Sequence, residues 1–571
     1  MEKIKKIKNL FNKFNLDGYL VPKNDEFFNE FVPKNKDNLK FISNFSGSYG
    51  FALILKKNNY LFVDGRYTLQ AKLQCGTLFK ILTLPHKLPF DILKSKNISI
   101  GFDPKLHTKV SLERIFQKTN CKLIPINKNL IEKIWGNKSK INSKKFFVLK
   151  DKYIGQSSKV KINQLIKSLK KNKVDLQFIS SSENIAWLLN IRGNDSEFTP
   201  IPNCYAIVDG RSFYLFCNLT KIDNKFKKLR DNIKILNINN LEFFLKNLKN
   251  KKVQIDSNSC SILFRSIIKK NNHIFEIQDP IYLSKSIKNK IEIKNTLKAH
   301  IYDGAALTKF LFWIQNNFRN TKITEIDAQE KLLQFRQINK TFKTLSFPTI
   351  SGSGPNGSII HYKATKKTNR VLSEGDIYLI DSGGQYNFGT TDVTRTISLN
   401  NKSNRIKDIY TRVLKGHIGV ASYKFNKKTS GSEIDVVARK YLKQIHLDYA
   451  HGTGHGVGFY LNVHEGPHGI SKGNSIRLRE GMILSNEPGY YEDGKFGIRI
   501  ENLITVKKIR KITKFENLTM APIDKTLINK ELLNAGEINW LNNYHNKVFK
   551  NLKSFMNRNE LIELKNSCSN I

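Results

Sequence analysis

The apolar positions of this chain follow a helix-then-strand rhythm that occurs twice in its first half. Residues 3–15, KIKKIKNLFNKFN, place apolar side chains at helical spacing, and an apolar strand follows. FISNFSGS comes next, then residues 50–64, GFALILKKNNYLFVD, which read as strand, polar turn and strand. Later, KINQLIKSLKKNKVD leads to LQFIS, AWLLNIRGND and CYAIVDGRSFYLFC in the same order. The repetition predicts an internal duplication, two α/β domains of one plan, at residues 1–150 and 151–285. The Lys- and Ser-rich KSKINSKK, residues 138–145, is placed just before the join.

From about residue 286 the texture changes. Helical periodicity in IEIKNTLKAHIYDGAALTKFLFWIQ gives way to Gly-rich loops and β-branched strands as far as Val506, which predicts a third, α+β domain over residues 286–510. Residues 511–571 form a carboxy-terminal extension, whose LLNAGEINWLNNYHNKVFKNLKSF reads as an amphipathic helix packed on the last domain or on a partner subunit. A chain of 571 residues is too long for one core, which agrees with several domains.

Composition narrows the picture modestly. There are 96 Lys plus Arg against 48 Asp plus Glu, a formal +48, which invites a nucleic-acid or anionic-membrane reading. The lysines are scattered through every segment, however, and no zinc-finger, basic-zipper or RNA-recognition signature accompanies them, so neither partner is expected. Six cysteines without a CxxC pair indicate neither a disulfide framework nor a thiolate metal site. With no apolar run of 18 residues and no signal-like apolar stretch at the amino terminus, a cytoplasmic protein is expected.

The chemistry lies in two hairpins. Asp381 ends the apolar run Ile377–Ile380, Asp392 opens VTRTISL, and the turn residues Asn387–Gly389 lie between, so folding there lays the two acids side by side. In MILSNEPGYYEDGKFGIRIENLITV the Asp493-Gly494 turn sets Glu487 and Glu501 symmetrically about residue 494, and these too arrive opposite each other. Between the hairpins, HGTGHGVG carries His451 and His455 in a stretch whose glycines argue for a loop. His464 follows, and His361 lies upstream. Any one of these residues alone is ordinarily a cap, a solvated edge charge or a loop histidine. Together, four carboxylates and an imidazole suit a pair of divalent first-row ions, which would cancel the repulsion that burying such acids creates.

DSGGQYNFGTTDVTRT, HGTGHGVGFYLNVHEGPHG, SNEPGYYEDGKFGIRIEN and GPNGSIIHY together resemble the pita-bread metallopeptidases, and among them the long, three-domain aminopeptidase P family of Xaa-Pro aminopeptidases. FSGSYG, VDGRYTLQA, AWLLNIRGND and WLNNYH extend the resemblance over roughly the whole chain. It implies two creatinase-like domains before a pita-bread catalytic domain. It also implies Asp381, Asp392, His455, Glu487 and Glu501 as ligands of two divalent ions, manganese first, with zinc or cobalt as alternatives. The implied reaction is release of the first residue from peptides with proline second, by a hydroxide bridging the two ions. Glu487 would shuttle the proton, His464 would bond the oxyanion or the adjacent carbonyl, His361 the substrate backbone, and His451 would line the proline pocket. Arg499 and Tyr491 resemble the pair that orients the ligating carboxylates, whereas His468 is not diagnostic. A homodimer is implied as well. A prolidase, cleaving only Xaa-Pro dipeptides, is the nearest alternative, and a catalytically dead binding protein a more distant one.

Overall fold

The computed structural model of the chain describes residues 1–94, 96–136, 144–230 and 232–571. Most of the Lys- and Ser-rich segment, residues 138–143, lies outside the described residues. The chain divides into two compact units, residues 1–151 with 156–282, and residues 152–155 with 283–571.

The first unit is built on two six-stranded sheets of one plan. The first runs Lys80–Leu84, Asn59–Asp64, Phe51–Leu55, Gly18–Pro22, Ser99–Phe102, Lys122–Pro125. The second runs Lys234–Asn237, Phe213–Cys217, Cys204–Asp209, Leu176–Ile179, Lys252–Ile255, His273–Glu276. In each sheet three consecutive strands at the centre pair antiparallel, and the outer strands add in parallel. That is the duplication the sequence rhythm predicts. Parallel additions require crossovers, and the amphipathic helices, Ser158–Lys171 and Ile262–Asn271 among them, supply apolar faces to cover the sheets. Leu176, Phe178, Tyr205, Phe264 and Ile268 belong to one such core.

In the second unit the 28-residue helix Lys290–Asn317 opens on a capping box, with Asn289 bonding the backbone of Glu292 and Glu292 returning to that of Asn289. The strand Ile377–Ser382 is buried along its whole length. Alternation sends Tyr378 and Ile380 into a cluster with Leu307, Phe310 and Leu311, while Ile377 joins a different one with Ile409, Val413 and Phe496. That strand lies between Ile350–Ser353 and Val393–Ser398, both antiparallel to it. A five-stranded sheet runs Glu465–Ile470, Gly454–Gly456, Ile483–Asn486, Asn502–Ile509, Ile512–Asn517. The carboxy-terminal helix Ala535–Leu552 buries Leu541, Tyr544, Val548 and Leu552, spaced three or four apart, in the same core as the helix Asn404–Ala421. It therefore packs on its own unit.

Candidate metal centre

The two hairpins form, with one change in the first. Asp381 pairs with Thr394 and Ser382 with Val393, and the same register continues through Gln385 with Thr390 and Tyr386 with Gly389. Asp392 therefore stands diagonal to Asp381, two residues before its partner, and not directly beside it as the turn residues suggest. The ladder passes from one sheet to another at Gly383, where a Cβ would lie 2.0 Å from the Thr391 carbonyl oxygen, so no larger residue fits. In the second hairpin Asn486 pairs with Asn502 and Gly489 with Arg499, one register on both sides, and it sets Glu487 opposite Glu501. The turn residue Gly494 has φ +70°, a conformation glycine accepts without strain.

His455 sits in the short strand Gly454–Gly456 and not in the loop its glycines suggest, and the ladder slips its register there against Glu465–Ile470. Its Nδ1–H donates to the Gly456 carbonyl at 2.9 Å, which fixes the tautomer and leaves Nε2 toward the acids, 3.4 Å from Asp392 Oδ2 and 3.5 Å from Glu487 Oε1. Asp392, His455 and Glu501 each offer a ligand atom within 4.8 Å of the others.

Electrostatics shows what this arrangement calls for. Burial, with the charge of Asp381 added, pushes Asp392 up to about 6 although its bond from His455 pulls the other way. Burial and the charges of Asp392, Glu487 and Asp381 hold Glu501 well above the usual carboxylate range. Burial disfavours a charged His455, but the bond to Asp392 and the charges of Glu487 and Asp392 outweigh it and raise the ring to about 9. Asp381 Oδ1 is buried with no hydrogen-bond partner. Four clustered carboxylates, an imidazole nitrogen turned inward and an orphaned carboxylate oxygen fit hard divalent cations, which would satisfy the oxygen and relieve the repulsion together.

Around these groups runs a set of bonds that hold them in place. Arg499 donates to Asp381 Oδ2 and to the Tyr491 hydroxyl, each at 2.6 Å, and its Nε donates to Thr394 Oγ1 at 3.0 Å. Thr394 donates onward to Glu501 Oε2 at 2.7 Å. Ser485 Oγ accepts the His455 N–H and donates to Glu487 Oε1, each at 2.9 Å. The family resemblance points to Arg499 and Tyr491, whereas Thr394 and Ser485 are passed over by it. The signal was the period of a strand: Thr394 lies two residues after Asp392 and Ser485 two before Glu487, each on the face of its acid. Replacing Thr394 by valine removes one hydroxyl that serves both Arg499 and Glu501. Affinity for divalent ions should fall about tenfold, as read by calorimetric titration.

The remaining histidines are placed unequally. The His464 ring lies 4.2 Å from that of His455, edge to face, on the exposed side. His451 Nε2 meets the Tyr491 hydroxyl at 3.0 Å. His361 is half-buried beyond the short turn Gly354–Ser358, and its neighbour Tyr362 belongs to a cluster against which Tyr491 packs. His468 is buried, with Nε2 against the Ile483 carbonyl at 2.8 Å, and burial drives its pKa down to about 4, so it is a neutral packing residue.

This architecture has a close counterpart. An X-prolyl aminopeptidase from Caenorhabditis elegans, described as a cytosolic enzyme with a di-nuclear active site, matches at a TM-score of 0.95 and 31% identity, over 100% of this chain and 99% of that one. A prolidase from Pyrococcus horikoshii matches at 0.52 and 25% identity, over 64% of this chain and 99% of that one. Fold and site together thus define a class, the pita-bread metallohydrolases with creatinase-type amino-terminal modules. Residues 294–508 match the model of metallopeptidase family M24, residues 511–571 its C-terminal region, and residues 3–134 and 137–292 two models of the creatinase/prolidase N-terminal domain. Xaa-Pro aminopeptidase 1 of Dictyostelium discoideum is 38% identical, over 96% of this chain and 92% of that protein. A probable Xaa-Pro aminopeptidase P of Laccaria bicolor is 37% identical, over 95% and 89%. The chain belongs to metallopeptidase family M24.

Proposed function

We infer that this protein is a metal-dependent aminopeptidase that removes the first residue from peptides with proline in second position. The observation that carries this reading is the full-length likeness to Xaa-Pro aminopeptidases, amino-terminal modules included, joined to an acid cluster that calls for cations. We further propose Asp381, Asp392, His455, Glu487 and Glu501 as the residues that hold two divalent ions. Manganese is favoured, since oxygen donors dominate the set and no thiolate is in it. A cytoplasmic location is supported by the nematode enzyme's being cytosolic and by six free thiols. A homodimer rests on the family resemblance alone, and sedimentation would check it.

When bound, such an ion pair supplies a water made acidic near neutrality and a polarised carbonyl. The chain's own residues do the rest. Glu487, at the edge of the cluster and half-exposed, accepts the proton of the attacking water and returns it to the leaving proline nitrogen. Tyr491 and Arg499 keep Asp381 oriented. His464, beside His455 and open to solvent, donates to the oxygen of the attacked carbonyl. His361 bonds the substrate backbone, and His451 with Tyr491 walls the proline side. Proline has no N–H and a fixed φ, so strand-like alignment of the substrate through backbone bonds fails at Xaa-Pro and a shaped pocket must replace it.

A comparison of Arg-Pro-Pro with Arg-Pro tests the reading against a prolidase. The tripeptide should be cleaved with kcat/KM at least about tenfold higher, and a strong chelator should abolish the rate. Preference for the dipeptide would instead favour a prolidase.

A further inference from the structure

The WLNNYH stretch of the carboxy-terminal extension is left unexplained by the reaction, and it leads to Arg395. This arginine follows Thr394 on the strand Val393–Ser398, points to the opposite face, and is wholly buried. Its Nε donates to the Pro522 carbonyl at 2.9 Å. Its Nη1 donates to the carbonyls of Thr394 at 2.8 Å and Glu501 at 2.7 Å. Its Nη2 donates to Asn502 Oδ1 at 2.9 Å, the Ala521 carbonyl at 2.8 Å and the Tyr544 hydroxyl at 2.9 Å. Each of these six acceptors is neutral. A buried guanidinium is ordinarily matched by a carboxylate, because leaving its charge unpaired in the interior is costly. Here a shell of dipoles takes that place, and two of the dipoles belong to the backbone of the metal centre. Glu501 is a proposed ligand, and Thr394 holds its carboxylate through Oγ1.

The other half of the shell comes from beyond residue 510. The Tyr544 hydroxyl accepts from Arg395 and passes its own proton to the Ala521 carbonyl at 2.7 Å, and its ring stacks on Trp540 at 5.5 Å and 7°. Next to it, His545 Nε2 accepts the Ile523 N–H at 3.1 Å, and burial drives the ring down to about 3, which keeps it a neutral acceptor. Tyr544 thus bonds both Arg395 and the Ala521 carbonyl that Arg395 shares, whereas His545 holds Ile523, which contributes nothing to the shell.

We propose that the carboxy-terminal extension is a working part of the metal centre. Arg395, completed by Tyr544 and by the carbonyls of Ala521 and Pro522, is a positioning residue that fixes the backbones of Thr394 and Glu501. Metal ligands have to be held within about 0.5 Å of their productive geometry, and supports one bond removed commonly change affinity 10- to 100-fold. The proposal rests on the reading of Glu501 as a ligand.

The test is manganese binding by the full-length chain, by competition with a chromophoric chelator, in Tyr544→Phe and His545→Leu. Tyr544→Phe deletes the hydroxyl that bonds both Arg395 and the Ala521 carbonyl and should weaken binding of at least one ion about tenfold, with little change in the melting temperature of the metal-free protein. His545→Leu releases the Ile523 contact without touching the Arg395 shell. It should lower that melting temperature and leave manganese affinity as in the unaltered chain. Equal affinity in Tyr544→Phe and the unaltered chain overturns the proposal, and so does equal weakening in both variants, which would mark general loosening of the tail. Failure of the unaltered chain to bind manganese would instead overturn the ligand reading.

Discussion

Asp392→Ala should lower kcat for Arg-Pro-Pro by at least about three orders of magnitude, equivalent to about 4 kcal/mol of transition-state stabilisation. Asp392 has its carboxylate within 4.8 Å of the ligand atoms of both His455 and Glu501, so its loss opens the centre where the candidate ligands lie closest. A merely misfolded variant would show the same inactivity, and stability tells the two apart. In the metal-free protein Asp392 helps to hold Glu501 well above its usual pKa, which is a measure of the repulsion between them. Removing Asp392 relieves that repulsion but also takes the partner from His455, so the metal-free variant should melt near the metal-free parent, while manganese should no longer stabilise it. Calorimetric melting with and without the ion reads both effects.

The second large effect is expected at Glu487, and of a different kind. Glu487→Gln keeps the side-chain shape, an oxygen for a cation and an acceptor for the Ser485 hydroxyl, but it loses the ability to take up a proton. A general base of this kind commonly contributes between about 10² and 10⁴ in rate. The variant should therefore bind two ions and the tripeptide nearly as the parent does, with kcat reduced by about that range and KM little changed. Steady-state kinetics on metal-loaded protein separates the outcomes. A rise in KM with kcat intact would assign Glu487 to substrate binding, and loss of an ion would assign it to ligation alone.

Much of the fold was legible because local signals and the distant pairing agree. The Asp493-Gly494 turn fixes one register for the whole second hairpin, so counting outward from it puts Glu487 opposite Glu501. The duplicated rhythm of the first half becomes two sheets of one plan. The first hairpin was less legible. A turn near Asn387 gives the strands but not their stagger, and a diagonal Asp381 and Asp392 differ from a facing pair by two residues of register. The bonds of Arg395 were beyond sequence reasoning. Its partners at Glu501, Ala521 and Tyr544 lie more than a hundred residues away, and a buried arginine that bonds carbonyls leaves no periodic trace. Thr394 and Ser485 fall between these cases, visible in retrospect as the same-face neighbours of two acids.

The proposed centre depends on cations gathering residues that would otherwise repel one another. Its most direct test is a crystal structure of active protein, with anomalous maps recorded at the manganese edge. Two peaks about 3.5–4 Å apart, enclosed by Asp381, Asp392, His455, Glu487 and Glu501, are the predicted result. Active crystals with no anomalous peak among these five residues would contradict it.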